Sequence, residues 1–188
     1  MKVVTKESIR DLPLIEFEGN IHVIDNKSKT EEACQKLSSE KILGFDTEKK
    51  PAFKKGEYND PALVQLSTEE DAYLFQLHKI GFTEPIKVLL EDTTIAKLGV
   101  AIADDLKDLN KMSSFTPRGF IELAELAKEK DIPYYGLRNL TAYFLDRRLS
   151  KSQQVSNWEN GALTSRQQVY AATDAWVALK IYDGLLEV

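Results

Sequence analysis

The sequence predicts an α/β layered domain built on a mixed β-sheet of five or six strands. Two observations carry this. Short apolar runs of strand length crowd the first hundred residues, and beyond residue 101 the hydrophobic period becomes helical. A chain of 188 residues with 43% hydrophobic and 29% charged residues fits one globular domain of ordinary size. At that length roughly 70% of the unfolded surface is buried on folding, so no disulfide or metal staple is required.

The elements follow in order. Residues 1–19 read as an arm or short helix ahead of a domain spanning residues 20–188. Ile21–Ile24 reads as a strand. Ser28 and Glu31 have capping-box spacing and open a helix through Leu37. Ile42–Phe45 is a buried-strand candidate that runs straight into Asp46 and Glu48. Ala62–Leu66 and Ala72–Leu77 are two further strands, joined by the polar turn Ser67–Asp71. Ile95–Val100 is the fifth. Helices are expected over about Asp104–Met112, Ile121–Lys130, Leu137–Leu145 and Arg166–Leu186, the last opened by the capping-box pair Thr164 and Gln167. His22 and His78 fall in strand patterns, away from every acidic motif, and read as core or edge residues.

Composition excludes several classes. With 25 Lys and Arg against 30 Asp and Glu, the net charge of −5 argues against a general nucleic-acid coat, because phosphate binding needs clustered cations. The single cysteine, Cys34, forms no internal disulfide and no Cys-based zinc site, which suits a reducing, cytoplasmic setting. The N-terminus has no apolar h-region, so no secretory signal is expected. No stretch approaches 18 apolar residues, so no membrane association is expected either.

Three segments set acids on apolar scaffolding. In Gly44-Phe45-Asp46-Thr47-Glu48 the two carboxylates are two apart on a strand and share a face. Paired acids at the end of a buried strand repel each other and lose hydration, and hard divalent cations such as Mg²⁺ relieve both costs. The second segment, Leu98 to Leu109, turns from strand to helix around Asp104 and Asp105. Asp104 there reads as an ordinary N-cap, and Asp108 as a solvated helix residue. In the third, Tyr170 and Asp174 lie one turn apart on the last helix, so a tyrosine hydroxyl can sit beside a carboxylate. Together these segments supply four acids and a tyrosine, the ingredients of two-metal phosphoryl transfer.

These motifs resemble those of the DEDDy-type 3′–5′ exonucleases of the DnaQ-like, ribonuclease H-like superfamily. The likeness is greatest to the Werner-syndrome-protein exonuclease domain and smaller to ribonuclease D. Phe45-Asp46-Thr47-Glu48 matches the first family motif. Gly99-Val100, with an aspartate six residues past the glycine, matches the second and selects Asp105. Tyr170-Ala-Ala-Thr-Asp174 matches the third, its tyrosine marking the DEDDy branch. Lys151-Ser152 and Ser156-Asn157-Trp158 resemble the segment before the last helix in Werner-type domains. Those domains commonly carry tryptophan where this chain has Lys49.

The resemblance implies a three-layer ribonuclease H-like fold. It implies metal-dependent hydrolysis at the free 3′ end of a DNA or RNA strand, releasing nucleoside monophosphates. Asp46, Glu48, Asp105 and Asp174 would bind two divalent cations, Mg or Mn, and Tyr170 would position the attacking water. Two rival readings are a catalytically silent nucleic-acid-binding or scaffold domain of the same fold, and another two-metal phosphohydrolase.

Lys49, Lys50, Lys54 and Lys55 fall within an acid-free stretch directly after the first motif. Arg138, Arg147, Arg148 and Lys151 form a second basic stretch. Both are candidate tracks for a single-strand backbone. Phe53, Tyr58 and Trp158 are candidates to stack on bases, with a core anchor as the preferred reading of Trp158.

Overall fold

The computed structural model describes residues 2–54 and 56–188. The chain runs α1 (Lys6–Arg10), β1 (Asn20–Ile24), α2 (Lys27–Leu37), β2 (Ile42–Lys49), β3 (Pro61–Ser67), β4 (Asp71–Gln76), α3 (Leu77–Ile80) and α4 (Glu84–Glu91). It continues through β5 (Ala96–Gly99), α5 (Ile102–Met112), β6 (Phe120–Glu122), α6 (Leu123–Glu129), α7 (Leu137–Leu145) and α8 (Ser165–Leu186). The strands form one mixed sheet in the spatial order β1-β4-β3-β2-β5-β6. β2, β3 and β4 pair antiparallel, while β1, β5 and β6 join in parallel.

Helices cover both faces of this sheet. On one side Phe45, Val64, Leu66 and Phe75 pack with Leu37, Ile86, Leu90 and Leu109 from α2, α4 and α5. On the other, α8 crosses the sheet with Ala171, Ala172, Ala175 and Ala178 buried along it. Small residues let the helix come close, and the closest approach is at Gly44. A Cβ there would lie 2.0 Å from the Ala175 carbonyl oxygen. Because both faces are covered, every residue of β3 is buried, Gln65 and Ser67 included, which explains its largely apolar sequence.

The structure moves several expected boundaries. β2 extends through Lys49, so Asp46 and Glu48 lie within the strand, and a register shift follows Glu48. β4 stops at Gln76, and Leu77 starts the short α3, which leaves His78 exposed on a helix. Helix α4 has no counterpart in the sequence reading. Its eight residues are shorter than a confident helical period, and Pro85 sits in its first turn. The cap of α2 is Asn26, which accepts from the Lys29 backbone N–H at 3.0 Å, and not Ser28.

The segment expected to be helical from Ile121 begins instead as the edge strand β6, with α6 starting at Leu123. This change also displaces Asp104 from its expected capping role. Helix α5 starts at Ile102, after Ala101 in the left-handed conformation at φ 61°. The Glu122 carboxylate of β6 accepts from the backbone N–H groups of Ala101 and Ile102, at 3.0 and 2.9 Å. A side chain from another strand thus satisfies the helix start, and Asp104 lies exposed in the first turn.

Residues 2–19 form a strap laid over α7 and α8. Thr5 and Ser8 close a capping box on α1. Ile15 donates to the Arg148 carbonyl and Arg148 donates to the Pro13 carbonyl, each at 3.0 Å. The Phe17 N–H donates to the Thr173 hydroxyl at 2.9 Å, and the buried Phe17 ring packs against Trp176.

Candidate active site

Three elements converge near the carboxyl ends of the adjacent parallel strands β2 and β5. β2 contributes Asp46 and Glu48, which share the face under α8 because strand side chains alternate. α8 contributes Tyr170 and Asp174, one turn apart, and Asp174 is only 9% exposed. α5, which follows β5, contributes Asp105 from its first turn. Thr47 points to the opposite face of β2, where its hydroxyl donates to Asp105 at 2.5 Å.

The electrostatics of the cluster follow from burial and mutual repulsion. Burial pushes Asp46 well above the usual carboxylate range, and the charges of Asp174 and Asp105 push it further. Burial and then Asp46, Asp174 and Asp105 push Glu48 up to about 10. Asp174 rises to about 7 through burial, against the pull of the Tyr170 hydroxyl and the Arg138 guanidinium. Asp105 is also raised by burial, with the Thr47 hydrogen bond and Lys49 opposing. Tyr170 lies above its ordinary value because burial and the charges of Asp174 and Glu48 disfavour a phenolate.

Among the described residues, no three acids, histidines or cysteines close on a single point. The charges of Asp174 and Asp105 nevertheless reach Asp46 and Glu48 from α8 and α5. A donor set made only of carboxylate oxygens, all raised by burial and with Asp46 and Glu48 raised further by their neighbours, is chemically matched to hard divalent cations. Beside it lies a cavity of about 340 Å³ against Tyr170 and Asp174. Its other walls include Ile15 and Glu16 of the strap, Ser150, Ser152 and Arg166. Trp158 is fully buried, as expected of a core anchor, and its ring centroid lies 5.9 Å from that of Tyr170.

The basic residues separate widely. Lys49 is paired with Asp108. Asp108, expected to be solvated, is 7% exposed. Burial would raise its carboxyl, yet hydrogen bonds from Lys111, Lys49 and Tyr58 hold it down at about 2. Sequence spacing within α5 gave no hint of this, because Lys49 arrives from the end of β2 and Tyr58 from the β2–β3 connection. Lys50 pairs with Glu159 at 3.3 Å. Lys54 and Phe53 are exposed in that connection, and Lys55 lies outside the described residues. Arg148 faces the strap, its Nε donating to the Leu12 carbonyl at 2.9 Å. Arg147 is exposed beside a groove with Leu14 and Trp176. Arg138 and Lys151 line a different cavity, together with Lys6 and Arg10 of α1, which the sequence reading left out of the site.

Residues 21–188 match a family model described as 3′–5′ exonuclease. The chain belongs to the 3′–5′ exonuclease family. It is 35% identical over 193 residues to the mouse bifunctional 3′–5′ exonuclease/ATP-dependent helicase WRN, covering 97% of this chain but 14% of that protein. A 3′–5′ exonuclease of Arabidopsis thaliana is 27% identical over 95% of this chain and 68% of its own length. Among solved structures, the Aedes aegypti Nibbler EXO domain superposes with a TM-score of 0.80 and 27% identity, over 94% of this chain and 90% of that one. Escherichia coli RNase D gives 0.79 and 26%, over 89% of this chain and 44% of that one. This exonuclease-family chain therefore spans a small part of several relatives. Its ribonuclease H-like layering of a mixed sheet between helices agrees with the sequence expectation.

Proposed function

We propose that residues 20–188 form a metal-dependent 3′–5′ exonuclease domain, preceded by an arm, residues 1–19, of which residues 2–19 are strapped against it. In this reading it hydrolyses the terminal phosphodiester bond at a free 3′ end of DNA or RNA and releases a nucleoside monophosphate. The observation that carries the proposal is the convergence of Asp46, Glu48, Asp105 and Asp174 from three elements, with Tyr170 against Asp174. Carboxylates that burial holds above their normal range, two of them raised further by their neighbours' charges, are poised for cations. Asp46, Glu48, Asp105 and Asp174 would hold two divalent ions, Mg or Mn, which when bound neutralise the phosphate and favour deprotonation of a water.

The remaining work falls to side chains. Because the Tyr170 phenol is held above its ordinary value, it stays protonated at neutral pH. It acts as a hydrogen-bond partner that orients the attacking water and not as a base. The water oxygen forms a bond to the terminal phosphorus, the bond to the O3′ of the preceding nucleotide breaks, and the displaced oxygen takes a proton. Burial of Asp174 and the fully buried Trp158 behind Tyr170 keep the phenol in place. A cytoplasmic setting belongs to the same proposal, supported by the single cysteine, Cys34, which has no partner for an internal disulfide. Among the described residues no helix is long and apolar enough to cross a membrane.

Strands labelled at the 3′ or the 5′ end, incubated with Mg²⁺, Mn²⁺ or EDTA, test the reading. A single-nucleotide ladder from the 3′ end, abolished by EDTA, is expected. Internal fragments, or hydrolysis indifferent to EDTA, would overturn it.

A further inference from the structure

Between α1 of the strap and the start of α7 lies a cavity of about 450 Å³. Lys6 and Arg10 line it from α1, Arg138 from α7, and Lys151 from the following loop, while no acid lines it. Among the described residues none of these four cations takes part in an ion pair. In a chain of net charge −5, four unpaired cations around one acid-free cavity are a local surplus that a bound anion would relieve.

Position specifies the anion further. Arg138 is half-buried, its Nε is buried without a hydrogen-bond partner, and its charge reaches Asp174. Lys151 stands between Ser150 and Ser152, both of which line the cavity against Tyr170 and Asp174. The basic cavity therefore adjoins the acidic pocket. A strand whose 3′ terminus sits among the acids carries its remaining phosphates out over the pocket's rim. Guanidinium forks and ammonium groups suit phosphate oxygens.

We propose that the cavity between α1 and α7 seats backbone phosphates of the substrate strand, upstream of the terminal nucleotide. Lys6 and Arg10 of the strap are then part of the strand's track. The proposal rests on the exonuclease reading for the identity of the strand. It also explains a role for the strap: the hydrogen bonds that fix residues 13–17 to Arg148 and Thr173 hold two phosphate ligands at a fixed place.

The test compares the wild type with the double variant Lys6→Ser/Arg10→Ser and with Lys151→Ser, at exposed side chains whose loss should leave the melting temperature in place. Binding of a labelled single strand of about a dozen nucleotides is measured in EDTA across a salt series. Hydrolysis of that strand and of a dinucleotide is measured with Mg²⁺. The slope of log Kd against log salt should fall by about 0.7 for each cation removed. The ratio of kcat/KM on the long strand to that on the dinucleotide should fall roughly tenfold. An unchanged slope in both variants overturns the proposal. So does loss of inorganic phosphate binding with the strand's slope intact, which would assign the cavity to a small free anion. If the slope falls as expected but the wild type hydrolyses neither substrate, the strand site stands and the exonuclease reading fails.

Discussion

Tyr170 and Asp46 separate chemistry from architecture at the scale of single side chains. Tyr170→Phe removes one oxygen and keeps the ring against Trp158. A group that positions water or assists proton transfer contributes about 10²–10⁴-fold in rate. A packed tyrosine loses only a hydrogen bond, roughly 1 kcal/mol of stability. The expected outcome is a fall in kcat of about a hundredfold or more with strand binding intact. A kcat within about threefold of wild type, with a lower melting temperature, would assign Tyr170 to packing alone. Asp46→Asn behaves differently. Its carboxyl stands in a buried, mutually repelling group, so the amide removes a charge the fold resists. Hydrolysis should vanish, while urea unfolding in EDTA shows stability equal to or above wild type. A marked loss of stability would mean that Asp46 makes favourable contacts within the metal-free fold.

At the scale of elements, the site depends on how closely α8 lies on β2. Gly44 is the contact point, and a methyl group there collides with the Ala175 carbonyl one residue beyond Asp174. Gly44→Ala should destabilise the protein by about 1–3 kcal/mol, as overpacking does. Because it moves α8, it should lower hydrolysis even well below the melting temperature, where the folded population is full. Full activity there would show that the acids tolerate a displaced helix. The start of α5 depends on another contact between elements, the Glu122 carboxylate of β6 on the Ala101 and Ile102 N–H groups. That contact sets which of the adjacent aspartates is exposed and which meets Thr47.

For the whole molecule, the raised carboxyls set a pH dependence. A carboxyl whose folded pKa lies above its unfolded value contributes stability that is full below about pH 4 and declines as pH rises through the folded pKa. Here those values are about 7 for Asp174 and about 10 for Glu48. The melting temperature in EDTA should therefore fall between pH 5 and pH 9 by this contribution. Asp108 has the opposite sign, since its pKa of about 2 gives stability that is lost as pH drops below about 4. Millimolar Mg²⁺ or Mn²⁺ should raise the melting temperature at pH 8 more than at pH 5, because ligand binding to the folded state competes with protons for the same oxygens. A melting temperature indifferent to both ions at pH 8 would count against a preformed cation site.

Local patterns were sufficient for much of this protein. Apolar runs located the long strands, the pair Thr164 and Gln167 marked the start of α8, and spacing by two or four placed Asp46 with Glu48 and Tyr170 with Asp174. Each of these depends on neighbours a few residues away, so it is written in the order of residues. Other features arise only when distant segments meet. Lys49 is drawn to Asp108 on α5, Glu122 supplies the cap expected of Asp104, and β6 pairs at the sheet edge in a segment with a helical pattern. Lys6 and Arg10 join Arg138 and Lys151 across more than a hundred residues of chain. The raised carboxyls belong to this second group as well. Burial and charge repulsion depend on which surfaces tertiary packing removes from water, and no spacing along the chain contains that information.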